Sequence, residues 1–179
     1  MTEMRILTVR QPWAWAIIHG QKDVENRVRN IAGGYRGPVA IHAGLAFDRE
    51  AHLTSRALRE AQDRAAVADG AEVYPGGYTW EIGAPDPRRA WSINGAIIGA
   101  VDLVDVHSHS RVSGCIDSNA RSHMRADVCS PWGERDVTHL VLANPRPFEH
   151  TIPYRGALGL RRLDDTTTAQ ILAQIGDPR

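Results

Sequence analysis

The chain has 179 residues, 42% of them hydrophobic, and its 21 basic residues balance 21 acidic ones. This length fits one domain with a core, and the zero net charge argues against a broad basic face for duplex DNA, so any nucleic-acid site should be a local pocket. The N-terminus lacks an apolar signal core and no stretch reaches transmembrane length, so we expect a cytoplasmic protein without membrane contact.

The first half of the chain combines short strands with helices. Strands are predicted at residues 6–9, 22–28 and 39–42, and helices at 12–20 and 48–68. Pro12 suits a first helical turn because its missing N–H costs nothing there, and Gly20 suits the helix end. Asp48 is expected to cap the second helix, since its carboxylate can accept from free backbone N–H groups.

The second half is dominated by strands. They are predicted at residues 96–106, 140–143 and 158–163, and a closing helix is predicted at 166–175. Residues 69–92 are rich in Gly, Pro and charge, and residues 107–136 are polar, so both are expected to be long loops or insertions. Several strands with few helices predict an α+β fold, a small β-barrel flanked by helices.

Lys22 is the only lysine in the chain, against 20 arginines. The chain uses arginine at every other basic position, so a lysine here suggests that its compact amine is needed. A planar guanidinium would supply bare positive charge equally well. In a regular strand Glu25 and Arg27 share one face and Lys22 points to the other, so convergence requires a bend just after Gly20. An exposed cleft lysine would contribute little to folding. The alternative is a solvated edge strand with a weak Glu25–Arg27 pair.

Two tryptophans near Pro12 are two residues apart, so on a helix they point in different directions. Trp13 at the helix start can line a cleft while Trp15 packs in the core. Stacking a nucleobase on an indole contributes roughly 1–3 kcal/mol. The alternative is that both side chains merely pack.

Other polar residues interrupt apolar strands or recur in similar contexts. His42 is either a hydrogen-bonded structural histidine or a cleft residue. Asp102 and Asp105 lie on opposite faces of one strand, so at least one needs a partner. Arg36 and Arg155 share a Tyr-Arg-Gly context and are expected to mark structural turns.

Zinc-competent side chains are scattered after residue 106. They are His107, His109, Cys115, His123 and Cys129. Their spacing fits no compact zinc motif, so no metal site and no cofactor are predicted, although the residue types leave metal binding open. Two cysteines do not make a disulfide framework.

The succession Q-P-W-A, G-x-K-x-x-E-x-R and Y-R-G-x-x-x-I-H-A over residues 11–43 resembles the ASCH family, which belongs to the PUA-like superfamily of small β-barrels. Later segments, GAIIGAVDLVDV, SPWG, HLVLANPRP and YRGALGL, are also similar to family segments. The resemblance implies a PUA-like domain over residues 1–165 with an insertion near 107–129, then a C-terminal helix and tail over 166–179. It also implies a cleft beside the first helix.

For function, the resemblance implies RNA or DNA binding. The candidate binding residues are Gln11, Trp13, Lys22, Glu25, Arg27 and His42. Neutral overall charge favours recognition of a base, a short single strand or a modified nucleotide. Two alternatives stay open: a hydrolase, and a protein-interaction module whose contact surface is the 107–136 segment.

Some small bacterial ASCH members are amidohydrolases that remove acetyl from acetylcytidine, and they use a lysine, a threonine three residues later and a downstream glutamate. This chain has Lys22 but places Glu25 at the threonine position, so the family nucleophile is missing. In a hydrolase acting on a nucleobase amide or an RNA phosphodiester, Lys22 and Glu25 would be the catalytic residues, with Glu25 acting through water.

Overall fold

A computed structural model describes residues 3–74, 77–79, 93–116, 122–123 and 128–176. Within these ranges the strands are β1 (Arg5–Gln11), β2 (Val24–Arg27), β3 (Gly37–Phe47), β4 (Glu72–Tyr74), β5 (Gly77–Thr79), β6 (Ala96–Ser110), β7 (Gly114–Ile116), β8 (Ser122–His123), β9 (Thr138–Pro153) and β10 (Leu160–Arg162). The helices are α1 (Trp13–His19), α2 (Ala51–Thr54), α3 (Arg56–Ala68) and α4 (Asp165–Ile175). The predicted α+β class is confirmed.

One mixed sheet of eight strands organises the fold. Its main path runs β10–β1–β3–β6, and β6 then pairs with both β9 and β7. β9 carries β2 on its other side, and β7 carries β8. Only β1 and β3 pair in parallel among these described strands. The ladders of the described strands leave β10, β2 and β8 as edges and do not close into a ring.

The long strand β6 extends beyond its apolar segment. β6 continues to Ser110, and β7 and β8 follow, so the prediction of a loop from residue 107 is wrong for 107–110, 114–116 and 122–123. Buried and exposed side chains still alternate there, but the buried ones are His107 and His109, which concealed the period from a reading of hydrophobicity.

The predicted 69–92 loop also contains structure. β4 and β5 form a short antiparallel hairpin. The loop prediction is therefore wrong for these two strands, and residues 80–92 lie outside the described part.

The predicted second helix is two helices with a break between them. Ser55 is extended and its hydroxyl accepts from the backbone N–H of Leu58, which caps α3. Asp48 caps neither helix. Its carboxylate accepts from the indole N–H of Trp13 at 3.1 Å and pairs with Arg10 at 3.0 Å.

Helices α1 and α4 pack on the sheet, and α3 packs on α1. α1 packs on β1, β3, β6 and β9 through buried side chains that include Ile17 and Ile18. α4 buries Ile171 in a second cluster with β1 and β6 residues, and α3 buries Leu58 against Trp15 of α1. No helix among the described residues is long and apolar enough to cross a membrane.

Candidate functional site

The turn between α1 and β2 brings Lys22 beside Glu25. Gly20 ends α1, and a side chain there would place Cβ 2.9 Å from the Cα of Ala16. Gln21 then adopts a left-handed conformation with φ of 62°, and the N–H of Lys22 donates back to the carbonyl of Ala16. The bend that the sequence required for convergence is therefore present, because β2 begins only after this turn.

Three charged side chains meet at the start of β2. The Lys22 ammonium lies 3.4 Å from one carboxylate oxygen of Glu25, and Arg27 lies 3.2 Å from the other. Lys22 Nζ also donates to the carbonyl of Val24. Lys22 is 4% exposed and Glu25 8%, so the solvated-edge alternative and the exposed position expected for Lys22 are both wrong.

Two indoles lie near the Lys22 ammonium. Nζ lies 5.6 Å from the ring centre of Trp13 and 5.8 Å from that of Trp132, within the range of a cation–π interaction. Trp13 is half-buried and lines the cleft, whereas Trp15 is 3% exposed in the core, as their helical spacing predicted. Sequence analysis missed Trp132 as a site residue, and its signal was the SPWG segment.

These side chains line a cleft of about 680 Å³, a size typical of small-ligand sites. β1, β2, the start of α1, the α2–α3 junction and the loop at 131–134 form its walls. The lining residues are Thr8, Val9, Arg10, Trp13, Lys22, Glu25, Asn26, Arg27, Thr54, Ser55, Arg56, Ala57, Pro131, Trp132, Gly133 and Glu134.

The loop that carries Trp132 is fastened to β2 and its preceding turn. The Asn26 amide donates to the carbonyl of Trp132 at 2.8 Å and accepts from the N–H of Glu134 at 3.0 Å. Ser130 donates its hydroxyl to Asp23 and accepts from the N–H of Trp132. The second indole is thus held in the cleft by polar contacts between residues distant in sequence.

Two of the predicted binding residues lie outside the cleft. Gln11 is fully buried; its amide donates to the carbonyl of Ile93 and accepts from the N–H of Trp15. His42 is 2% exposed and its Nε2 bonds to the carbonyl of Tyr154, while burial lowers the pKa of the ring. These contacts match the structural role weighed for His42.

The strand aspartates find the partners that burial requires. Asp102 pairs with Arg146 at 2.6 Å. Asp105 lies 2.8 Å from Nδ1 of His107 and 3.7 Å from Arg36.

A histidine–cysteine cluster lies next to the segment of residues 128–137 that carries Trp132, here called the cleft loop. Its members are His107, Cys115, Cys129 and His139, and one ligand atom from each lies within 4.8 Å of all the others. Sequence analysis named the first three but missed His139, which follows after a gap on a separate strand, β9. Of the other two candidates, His109 accepts at Nδ1 from the N–H of Asp136, and the side chain of His123 lies outside the described residues.

Burial perturbs two members of the cluster. Burial, and next the neighbouring Cys115 thiol, raises the pKa of Cys129 to about 12. Burial also lowers the pKa of His139, which the carbonyl of Glu134 partly offsets. Both shifts favour the neutral forms of these groups.

Comparison with known proteins gives a family match and two distant structures. The model of the ASCH domain matches residues 7–151. A crystal structure of a ZmASCH point mutant from Zymomonas mobilis is 14% identical, with a TM-score of 0.47 over 96% of this chain and 98% of that one. A structure of ASCH from the same organism is 13% identical, with a TM-score of 0.44 over 95% and 94%. No curated protein matches this chain.

Proposed function

Because this chain belongs to the ASCH domain family, we propose that it binds RNA, and that its cleft holds one unpaired base of a short single strand or of a modified nucleotide. The observation that carries this proposal is the pair of indoles, Trp13 and Trp132, whose ring centres lie 5.6 and 5.8 Å from the Lys22 ammonium in a cleft of about 680 Å³. Unpaired bases are commonly recognised by stacking on aromatic side chains, with little dependence on base identity.

Exposed arginines at the cleft supply the charge for a phosphate backbone. The side chains of Arg10 and Arg56 are 61% and 86% exposed, and their present partners are the carboxylates of Asp48 and Glu60. The Arg56–Glu60 pair is exposed on both sides and contributes little, so a phosphate can replace its carboxylate at small cost. Asp48 is only 19% exposed, but the guanidinium of Arg10 is itself open to solvent and can reach a phosphate. Lys22 is instead held by Glu25 and has a positioning role next to the indoles. A neutral chain can in this way bind nucleic acid locally.

We expect Trp132→Ala to weaken binding of a short single-stranded RNA by about 5- to 150-fold, which corresponds to the loss of one stacked base at roughly 1–3 kcal/mol. Fluorescence anisotropy of a labelled oligonucleotide measures this effect. Trp132→Phe should retain most of the affinity because a stacking face remains.

A charge-matched pair provides the control. Arg10→Ala should reduce both affinity and its dependence on salt, whereas Arg161→Ala removes the same charge from an exposed β10 residue that does not line the cleft. Equal effects of the two arginine variants, or unchanged affinity of Trp132→Ala, would place the binding surface elsewhere.

A hydrolase is the second candidate, and it rests on the Lys22–Glu25 contact of 3.4 Å inside the cleft. We expect little or no acetylcytidine deacetylation by the wild type, because Glu25 stands where the family amidohydrolases have a threonine. Lys22 is also engaged by Glu25 and by the carbonyl of Val24. Glu25→Thr is the single change most suited to raise the activity, since it restores a hydroxyl that the lysine can activate.

A chromatographic assay of acetylcytidine conversion by the two proteins tests this expectation. Robust wild-type turnover that disappears in Lys22→Ala would replace the binding proposal with an enzyme that uses a different nucleophile.

A further inference from the structure

We propose that His107, Cys115, Cys129 and His139 bind one zinc ion in a closed, structural site that is separate from the RNA cleft. The four residues come from β6, β7, the start of the cleft loop and β9. Zinc would therefore join three strands of the sheet to the loop that carries Trp132.

The spacing of the ligand atoms matches a tetrahedral site. Zinc bonds of ~2.3 Å to sulfur and ~2.1 Å to nitrogen give tetrahedral edges of ~3.6 Å between N and S and ~3.8 Å between two S atoms. Three N···S distances lie within about 0.4 Å of the N–S value: His107 Nε2 to Cys129 Sγ at 3.3 Å, and His139 Nδ1 to Cys129 and Cys115 Sγ at 3.2 and 3.5 Å. The widest ligand pair, at no more than 4.8 Å, needs only a small contraction.

Each histidine is oriented by its other nitrogen in the way that zinc ligands usually are. Nδ1 of His107 faces the carboxylate of Asp105 at 2.8 Å, so the Nδ1–H donates outward and leaves Nε2 free for a metal. Nε2 of His139 lies 2.7 Å from the carbonyl of Glu134, which leaves Nδ1 free. The two rings are thus held in opposite tautomers, and both unprotonated nitrogens point into one space.

Charge and ligand type indicate zinc in a structural role. Two thiolates neutralise a divalent cation, which makes the loaded site compatible with the burial of His107, Cys115 and His139. A set of two sulfurs and two imidazoles in a tetrahedron is typical of zinc. Four protein ligands leave no position for water or substrate, so the site stabilises structure and does not perform the chemistry of an open catalytic zinc.

The test uses the full chain, purified under reducing conditions, with metal content measured by mass spectrometry and metal-free protein titrated with Zn²⁺ and Co²⁺. We expect one zinc per chain and, with Co²⁺, the visible absorption of a tetrahedral thiolate site. Cys129→Ser and His139→Gln should each lower zinc affinity by at least about 100-fold. His109→Asn is the matched control, because His109 is a buried histidine on β6, like His107, but is not one of the four proposed ligands. This variant should bind zinc as the wild type does.

If the ligand variants do not fold, a change at Asp105, which orients His107, still tests the proposal. Asp105→Asn retains all four ligands and should reduce zinc affinity by about 10- to 100-fold, without abolishing the cobalt spectrum. The proposal is overturned if the reduced wild type takes up neither metal, if Co²⁺ binds without tetrahedral bands, or if His109→Asn loses zinc while Cys129→Ser retains it.

Discussion

Lys22→Ala should lower the free energy of unfolding by about 3 kcal/mol, a large share of the stability of one domain. The side chains of Lys22 and Glu25 are only 3% and 10% exposed, so loss of the ammonium leaves a buried carboxylate with one partner fewer. Arg27 remains 3.2 Å from that carboxylate, which keeps the expected value at the lower end of the range for a broken buried pair. The same variant should lose RNA binding, because Trp13 and Trp132 both lose the cation that lies within cation–π range of their rings.

Urea unfolding followed by circular dichroism measures this effect. Arg10→Ala serves as control, because its side chain is 61% exposed and its loss should change stability by no more than about 0.5 kcal/mol. The double variant Lys22→Met with Glu25→Met should be less destabilised than the sum of the single variants, since it removes both charges together. A Lys22→Ala protein as stable as the wild type would mean that the lysine is hydrated in solution.

The expected stability effect differs from the one that sequence analysis gave, and the reason is burial. The strand period alone points Lys22 away from Glu25, and the resemblance to the ASCH family was what implied a shared cleft. The turn after Gly20 supplies the bend that brings the two side chains together. The sequence could not give the exposure of Lys22, which depends on the loop carrying Trp132. That loop is more than a hundred positions away and contacts β2 through Asn26.

The prediction failed at part of β6 and at the histidine–cysteine cluster because a hydrophobicity pattern shows neither polar inward-facing positions nor strand pairing. Apolar periodicity found the first part of β6, where the buried positions are aliphatic. It failed where His107 and His109 take the buried positions, because polar side chains at inward positions read as a loop. His139 gave no spacing signal, since strand pairing and not sequence proximity sets it opposite His107.

Removal of zinc should weaken RNA binding as well as the fold, because the two proposed sites share one loop. Cys129 directly precedes Ser130, whose hydroxyl bonds to Asp23, and His139 bonds to the carbonyl of Glu134 at 2.7 Å. Trp132 lies between these two attachments. A structural zinc that contributes about 5 kcal/mol would lower the melting temperature by about 10–20 °C when chelated. Release of the loop should also reduce RNA affinity by about tenfold or more, up to the loss of the stacked base.

Comparison of the wild type with Trp132→Ala, each with and without zinc, separates the two effects. Anisotropy titrations are made below the melting temperature of the metal-free protein, and circular dichroism confirms that both forms are folded. Chelation should weaken RNA binding by the wild type but leave the residual affinity of Trp132→Ala unchanged, because the metal acts on the cleft through that indole. His109→Asn should respond to chelation as the wild type does. An equal loss of affinity in the wild type and in Trp132→Ala would mean that zinc supports RNA binding through the fold as a whole and not through the position of Trp132.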